Sequence, residues 1–184
     1  MRRGLEHALD DYLVLLAQGG SREAFARLAA RWTPKLVAFA ARVLGTTEAA
    51  KDVVQDTWES AVRGLHSLDD PARLRAWIYA IAARKCADAL RGKYRHARIA
   101  ESAQAMRESE ANAEDGANDR LDVAAALKRL PPEQRVAASL FFGEELSVAE
   151  IAAITGVPAG TVKSRLFAAR KALREVFGED HVKS

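Results

Sequence analysis

The chain has 184 residues, of which 49% are hydrophobic, enough for one ordinary domain or for two small ones to form apolar cores. The single cysteine excludes an internal disulfide framework, and no long uncharged apolar run predicts a signal peptide or a membrane span. Because no signal peptide or membrane span is predicted, we expect a cytoplasmic protein that does not insert into membranes. The net charge of +3 does not by itself indicate a nucleic-acid-binding protein.

The composition predicts an all-α fold made of two blocks. Ala, Leu, Glu, Arg and Lys are abundant and favour helices, and few segments alternate as a half-buried strand does. Residues 1–100 carry 17 Lys/Arg and 11 Asp/Glu, residues 101–122 carry 2 and 7, and residues 123–184 carry 9 and 7. Two basic blocks joined by an acidic segment weakly indicate a polyanionic partner for the blocks.

The first block is predicted to contain four helices. Glycines and a proline separate segments with helical spacing, and Ser21 is a candidate N-terminal cap. Pro34 lies within the second helix and is a candidate kink. The predicted helices cover about residues 9–18, 21–44, 46–63 and 71–93.

The third helix has an apolar face and an acidic face. Its core stripe consists of Ala50, Val54, Ala61 and Leu65, with Trp58 beside it. The opposite face carries the carboxylates of Asp52, Asp56 and Glu59. DNA phosphates would repel this face, so it is either an ordinary solvated surface or a surface for a basic protein partner.

The fourth helix combines an apolar face with a basic end and flank. We expect Leu74, Trp77, Ile78 and Ile81 to face the core. Its Lys and Arg side chains can neutralise phosphates and would give salt-dependent binding. The basic residues are Arg73, Arg75, Arg84, Lys85, Arg91, Lys93, Arg95 and Arg98.

Large apolar residues nearly vanish over residues 99–120, so this stretch is predicted to be a flexible acidic linker. It separates a first domain, residues 1–98, from a second, residues 121–184. The helices predicted in the second domain cover about residues 121–129, 132–142, 147–154 and 158–176.

The second domain contains a helix-turn-helix pattern. Ser147 and Glu150 are spaced as a capping box at the start of a short helix. Gly156 can adopt a left-handed backbone in the following turn, and a longer helix starts at Pro158. A short helix, a tight glycine-containing turn and a longer helix are typical of DNA-binding proteins.

The longer helix is amphipathic, with an unusual outer face. Its core stripe is Val162, Leu166, Ala169 and Leu173. An exposed Phe167 among Ser, Thr, Lys and Arg suits a major-groove face, because aromatic rings contact thymine methyls while polar groups bond bases and phosphates. The alternative is a plain amphipathic helix with an incidental phenylalanine.

Residues 130–173 read LPPEQRVAASLFFGEELSVAEIAAITGVPAGTVKSRLFAARKAL. This run resembles region 4 of the extracytoplasmic-function sigma factors of the sigma-70 family, the region that reads the minus-thirty-five promoter element. GTVKSR by itself also occurs in neighbouring helix-turn-helix families, but the whole run is more specific. The resemblance implies contacts to this element from Thr161, Lys163, Ser164, Arg165, Phe167 and Lys171.

The first domain resembles region 2 of the same family. EAAKDVVQDTWESAVRGL, residues 48–65, resembles the helix that binds the coiled coil of the largest polymerase subunit, which implies polymerase contacts from Asp52, Gln55, Asp56 and Glu59. LRAWIYAIAARKCADALR, residues 74–91, resembles the helix after the loop that captures an unstacked minus-ten base. The implied minus-ten residues are His66, Ser67, Leu68, Asp69, Asp70, Arg73, Arg75, Arg84 and Lys85.

Three positions depart from the family pattern. Lys51 stands where many members have an acidic residue, which would retune polymerase binding. Arg84 stands where many have Asn, which puts a base contact there in doubt. Ala168 replaces a common Arg and removes one candidate DNA contact.

No catalytic constellation, metal-ligand spacing or phosphate-binding loop is found, so we expect no enzyme, no cofactor and no metal. Cys86 is predicted to be a small buried apolar residue. The resemblance implies a sigma factor that binds core RNA polymerase and promoter DNA, acts in a stress or envelope response and is controlled by an anti-sigma factor. The alternatives are a helix-turn-helix regulator that binds DNA alone, usually as a dimer, and a helical adaptor without DNA function.

Overall fold

The structure is a computed structural model that describes residues 2–104 and 126–177. Over these residues it is helical and contains no strand, which confirms the predicted fold class. The α-helices are α1 (Arg2–Gln18), α2 (Arg22–Leu44), α3 (Thr47–Gly64), α4 (Leu74–Gln104), α5 (Pro132–Ala138), α6 (Val148–Thr155) and α7 (Ala159–Phe177). Shorter elements are 3-10 turns at Leu65–Ser67 and Pro71–Arg73, a π-helix at Ser139–Gly143 and a helical turn at residues 126–128.

Two helices are longer than predicted. α1 begins at Arg2 instead of residue 9, and α4 continues to Gln104 instead of ending near residue 93. The first residues of the predicted linker, 99–104, are therefore helical. Adding residues to an existing helix is much easier than starting one, so good helix formers at its ends continue it. The rest of that linker lies outside the described residues.

The helix predicted at residues 132–142 also differs. It is α-helical only over Pro132–Ala138 and then widens into the π-helix Ser139–Gly143. A π-turn adds one residue to the helical turn and so rotates the residues after it about the helix axis. Of the helix predicted at residues 121–129, the structure describes only residues 126–128 as helical.

The N-terminal core is built by α1, α2, α3 and α4. The predicted stripe of α3, namely Ala50, Val54, Ala61 and Leu65, is buried, as are Leu74 and Ile78 of α4. Trp77 and Ile81 are half-buried against the same core. Tyr79, which the sequence did not single out, is only 1% exposed and packs edge-on against Phe39, with ring centroids 5.4 Å apart.

The C-terminal residues share this core. Val136, Ala137, Leu140, Ile151 and Ile154 belong to the same buried apolar cluster as the residues of α2 and α4. A small second cluster, Leu127, Leu130, Ala138 and Ala169, is formed within the C-terminal block itself. The two domains are therefore docked onto each other in this structure.

Arg135 of α5 joins the two domains from a buried position. Its side chain donates to the carbonyls of Val43 and Leu130, each at 3.1 Å, and to the carbonyl of Lys128. Arg135 is 3% exposed, and burial lowers the pKa of its guanidinium. Several carbonyl oxygens compensate part of the desolvation that such a buried charge requires.

Gly45 lies at the same junction, where the Lys128 side chain packs against its backbone. Gly45 caps α2 with a left-handed backbone, φ 80°, and a methyl group there would lie 2.4 Å from Cε of Lys128. The left-handed φ is what requires glycine here, because it is strained for other residues, whereas the flexible end of the exposed Lys128 side chain can move aside.

We predict that Ser147→Ala lowers the free energy of unfolding by about 1 kcal/mol at neutral pH, because it removes the capping box of α6. Hydrogen bonds from Ser147 lower the pKa of Glu150 in the folded protein. That carboxylate therefore stabilises the fold above its unfolded pKa, and the contribution is lost as the pH falls through the lower folded pKa.

The difference between wild type and Ser147→Ala should shrink below about pH 4 in urea denaturation. Ser164→Ala is the control, since its exposed hydroxyl bonds only a carbonyl of its own helix. A difference that stays constant down to acid pH would contradict the role given to Glu150.

Candidate polymerase and nucleic-acid interfaces

The outer face of α3 is acidic and solvent-exposed. Asp52, Gln55, Asp56 and Glu59 are all exposed, while the opposite side of the helix is buried in the core. Lys51 pairs with Glu48, at 3.2 Å, and none of the four forms an ion pair with another described residue. The face is therefore open to a cationic partner.

An exposed valine extends this acidic face. Val62 is 56% exposed and lies seven residues after Gln55, which places the two on the same side of the helix. It is not among the residues predicted from the sequence. The helical period of 3.6 residues places Val62 outside the core stripe, on the acidic face. This position could therefore have been predicted from the sequence.

The loop between α3 and α4 consists of two 3-10 turns with fixed hydrogen bonds. The Ser67 hydroxyl donates to the Gly64 carbonyl at 2.7 Å, and the Asp70 carboxylate accepts from the Ala72 amide at 3.0 Å. His66, Ser67, Asp69 and Asp70 are exposed. The loop thus presents polar edges to solvent.

Leu68 is the exception among the predicted loop residues. It is buried and packs in the core, so its side chain is not part of the exposed surface of the loop. The 3-10 turn before it sends the side chain inward, where its burial anchors the loop. The exposed residues among positions 66–70 are therefore all polar.

Gln18, at the end of α1, holds this loop from the other side. Its side-chain amide donates to the carbonyl of Leu65 at 2.9 Å and to the carbonyl of Leu68 at 2.8 Å. These two carbonyls bracket His66 and Ser67. Gln18 is almost fifty residues away in sequence, so no local pattern could have identified it.

The basic residues of α4 and of the 3-10 turn before it differ in their exposure to solvent. Arg73 and Arg84 are exposed, whereas Arg75 and Lys85 are half-buried. The guanidinium of Arg75 donates to the carbonyl of Glu144 at 2.7 Å and so faces the C-terminal domain.

One residue of each predicted DNA-binding surface lies at the domain junction. Arg84 lines a cavity of about 510 Å³ together with Gly156 and Arg165 of the helix-turn-helix. Nearby, Arg91 donates to Asp88 at 2.7 Å and to Glu133 at 2.9 Å, and these bonds raise its pKa.

The helix-turn-helix has the predicted local geometry. The Ser147 amide donates to the Glu150 carboxylate at 2.8 Å, and the Glu150 amide donates to the Ser147 hydroxyl at 3.2 Å, which confirms the capping box. Gly156 ends α6 with φ 68°, as expected for a left-handed turn.

The outer face of α7 is exposed and carries an aromatic ring. Lys163, Ser164, Phe167 and Lys171 are exposed, with Phe167 at 71%. Thr161 and Arg165 are half-buried at the edges of this face. The predicted stripe is confirmed at Val162, Leu166 and Ala169, which are buried, and Leu173 is half-buried.

A second aromatic surface adjoins this helix. Phe141 and Phe142 stack edge-on, with ring centroids 5.0 Å apart, and the guanidinium of Arg170 lies 5.5 Å and 5.9 Å from the two centroids. Phe142 is exposed. These rings were not selected from the sequence, because the π-helix that presents them was not predicted.

Cys86 is fully buried, and burial raises the pKa of its thiol to about 12. The thiol is therefore protonated at neutral pH and is a poor nucleophile. Among residues 2–104 and 126–177, no three His, Cys, Asp or Glu side chains are grouped as a metal site, and no helix is long and apolar enough to cross a membrane.

Sequence comparison shows which known proteins this chain is similar to. The family described as Sigma-70 region 2 matches residues 28–96, and the family described as Sigma-70, region 4 matches residues 120–173. RNA polymerase sigma factor CarQ of Myxococcus xanthus is 33% identical over 87% of this chain and 92% of its own length. The ECF RNA polymerase sigma factor SigM of Mycobacterium tuberculosis is 34% identical over 95% of this chain and 88% of its own length.

Solved structures with the same fold include two complexes. The sigma factor RpoE bound to the anti-sigma factor NepR, from Bartonella quintana, matches with a TM-score of 0.67 and 29% identity over 85% of this chain and 98% of that one. CnrH bound to the cytosolic domain of CnrY matches with a TM-score of 0.66 and 29% identity over 94% and 99%. With its two matched regions in the family order, the chain belongs to the extracytoplasmic-function sigma factors of the sigma-70 family.

Proposed function

We propose that this sigma factor divides promoter recognition between its two domains. Residues 1–98 bind core RNA polymerase and the minus-ten element, and residues 121–184 bind the minus-thirty-five element. The observation that carries this proposal is the presence of two surfaces of opposite charge on separate helices. The acidic face on α3 suits a basic protein partner such as polymerase, and the basic face on α7 suits DNA.

The polymerase contact is assigned to Asp52, Gln55, Asp56 and Glu59. Their face is exposed, acidic and without internal ion pairs among the described residues, and Val62 adds apolar area that an ordinary solvated face lacks. Interfaces gain energy from such buried apolar groups, while the surrounding charges select the partner and speed association.

The minus-ten contact is assigned to the exposed atoms of His66, Ser67, Asp69 and Asp70 and to the basic residues of α4. The loop is rigid because its carbonyls and side chains are already hydrogen-bonded, so it can hold an unpaired base at a small entropic penalty. Leu68 supports the loop from the core. Arg73, Arg75, Arg84 and Lys85 provide the positive charge that backbone phosphates require.

The minus-thirty-five contact is assigned to the outer face of α7. Lys163, Ser164 and Lys171 can bond bases and phosphates, and the Phe167 ring can lie against thymine methyl groups. Thr161 and Arg165 flank these residues and contact the groove edge.

Promoter opening by this chain uses binding energy to trap unpaired bases and makes or breaks no bond, so the chain is not an enzyme. We assign it to the cytoplasm, where polymerase and promoter DNA are found. The two structural neighbours described above are partners of NepR and of CnrY. An anti-sigma factor is accordingly the regulator that we propose for this chain, in a stress or envelope response.

We predict that Asp52→Lys and Asp56→Lys each weaken binding to core polymerase by about tenfold or more, because each places a cation against a basic partner. Titration of fluorescently labelled protein with purified core measures the affinity. Glu23→Lys makes the same charge change at an exposed position on α2 and serves as the control. Equal affinities for all three variants would refute the assignment of the α3 face.

We predict that Gln18→Glu reduces open-complex formation by about tenfold, because it replaces two donated hydrogen bonds by a carboxylate facing two carbonyls. Permanganate reactivity of unpaired thymines measures opening, and core affinity should stay unchanged. Gln134→Glu on α5 is the matched control. If both variants open promoters as the wild type does, Gln18 does not position the loop.

A further inference from the structure

Glu144 lies in the turn after the π-helix, and three side chains of the N-terminal domain bind it. Its carboxylate accepts hydrogen bonds from the Arg42 guanidinium and the Tyr79 hydroxyl. Its backbone carbonyl accepts from Arg75 at 2.7 Å. All three bonds cross the junction between the two domains.

The environment of this contact resembles a preformed anion site. The Glu144 side chain is 13% exposed and Tyr79 is 1% exposed, whereas the Arg42 side chain is 35% exposed, so the carboxylate is mostly buried but the guanidinium reaches solvent. The pKa of Tyr79 is raised by its burial and by the Glu144 carboxylate, which keeps its hydroxyl a proton donor. Nε of Arg42 is buried without a hydrogen-bond partner, so the guanidinium still has a donor to offer.

The turn is shaped to deliver the carboxylate. A methyl group on Gly143 would lie 2.4 Å from Nε of Arg42, so only glycine lets the guanidinium approach the turn this closely. Glu145 has a left-handed backbone, with φ 54°, which is costly for a residue with a side chain. Such strain persists where the surrounding contacts enforce it.

The docked arrangement cannot bind both promoter elements at once. Positions minus ten and minus thirty-five lie about 25 base pairs apart, or about 85 Å along B-form DNA. A compact body of this chain length has a radius of gyration of about 16 Å, so it cannot reach across that distance. The two described ranges are joined by 21 residues of sequence, and the maximal span of any chain of that length is about 70 Å, so the covalent connection does not forbid separation of the domains.

Separation leaves Arg42, Arg75 and Tyr79 without their anion, beside the basic residues of α4 that we assign to the minus-ten strand. A phosphodiester oxygen is the anion that promoter DNA supplies there, and Arg binds phosphate as well as it binds carboxylate. The same donors can thus serve the docked and the DNA-bound states in turn.

We propose that Arg42, Arg75 and Tyr79 form an anion site that Glu144 fills while the domains are docked and that a backbone phosphate of the minus-ten strand fills once they separate. The docked chain is then self-inhibited, because its own C-terminal domain covers part of the minus-ten surface. This inference rests on the proposed division of promoter recognition and adds a control to it.

Binding of a short fluorescent oligothymidine to the full-length protein tests the exchange, since a phosphate site reads the backbone of any single strand. Glu144→Ala should bind about tenfold more tightly than Glu23→Ala, which removes the same charge from the exposed start of α2. Circular dichroism and thermal melting establish that both variants are folded.

A second substitution tests the site itself. Adding Arg42→Gln to Glu144→Ala should abolish the gain in affinity and lower the salt dependence of binding by about one phosphate contact. Gly143→Ala, which displaces Arg42 without changing any charge, should raise affinity in the same direction as Glu144→Ala.

Equal affinities of folded Glu144→Ala and Glu23→Ala would overturn the proposal. A gain that survives Arg42→Gln would overturn the phosphate site. Transcription with core polymerase separates this result from the proposed function. A chain that supports initiation while Glu144→Ala binds no more tightly refutes only the exchange, whereas a chain that never supports initiation refutes the sigma-factor assignment of the domains.

Discussion

The structure depends on an apolar core that two small domains share. The described part of the C-terminal block, residues 126–177, buries a smaller fraction of its surface than a larger domain would and is only marginally stable by itself. It instead places Val136, Leu140 and Ile151 in the cluster built by α2 and α4. The docking also completes the hydrogen bonding of buried Arg135, because the Val43 carbonyl of the N-terminal block joins the Leu130 and Lys128 carbonyls of its own block.

The same constraint sets the energetics of function. Under the proposed division of promoter recognition, a chain that binds elements about 85 Å apart gives up the shared core and the polar contacts at the junction. No contact among the described residues offsets that loss, so in this proposal the energy comes from polymerase and DNA, which bind the separated domains better than the docked ones. An equilibrium of this kind lets any partner that prefers the docked form act as an inhibitor.

The features that the sequence predicted well are the local ones. The capping box of Ser147 and Glu150, the left-handed Gly156 and the buried stripes of α3 and α7 depend on residues a few positions apart, and periodicity and turn chemistry report on them directly. The exposed acidic face of α3 was predicted from the same period. Family resemblance then supplied the partners, which no local pattern could name.

The features that were not predicted from the sequence depend on long-range contacts, on a short turn or on the extension of an existing helix. Gln18 meets the loop, and Glu144 meets Tyr79, across 47 to 65 residues of chain, and neither contact leaves a periodic trace. Leu68 turned inward because a 3-10 turn does not follow the helical period. α4 continues past its predicted end because an established helix extends through polar residues that would not start one.

The role of this chain is to give core RNA polymerase its promoter specificity. Transcription by purified core, with and without the chain, on a pool of promoters from its own genome is the decisive experiment. We expect initiation only when the chain is present, from a subset that shares spaced minus-ten and minus-thirty-five elements. An absence of initiation, together with tight binding of the chain alone to duplex DNA, would refute this role and indicate a regulator that acts without polymerase.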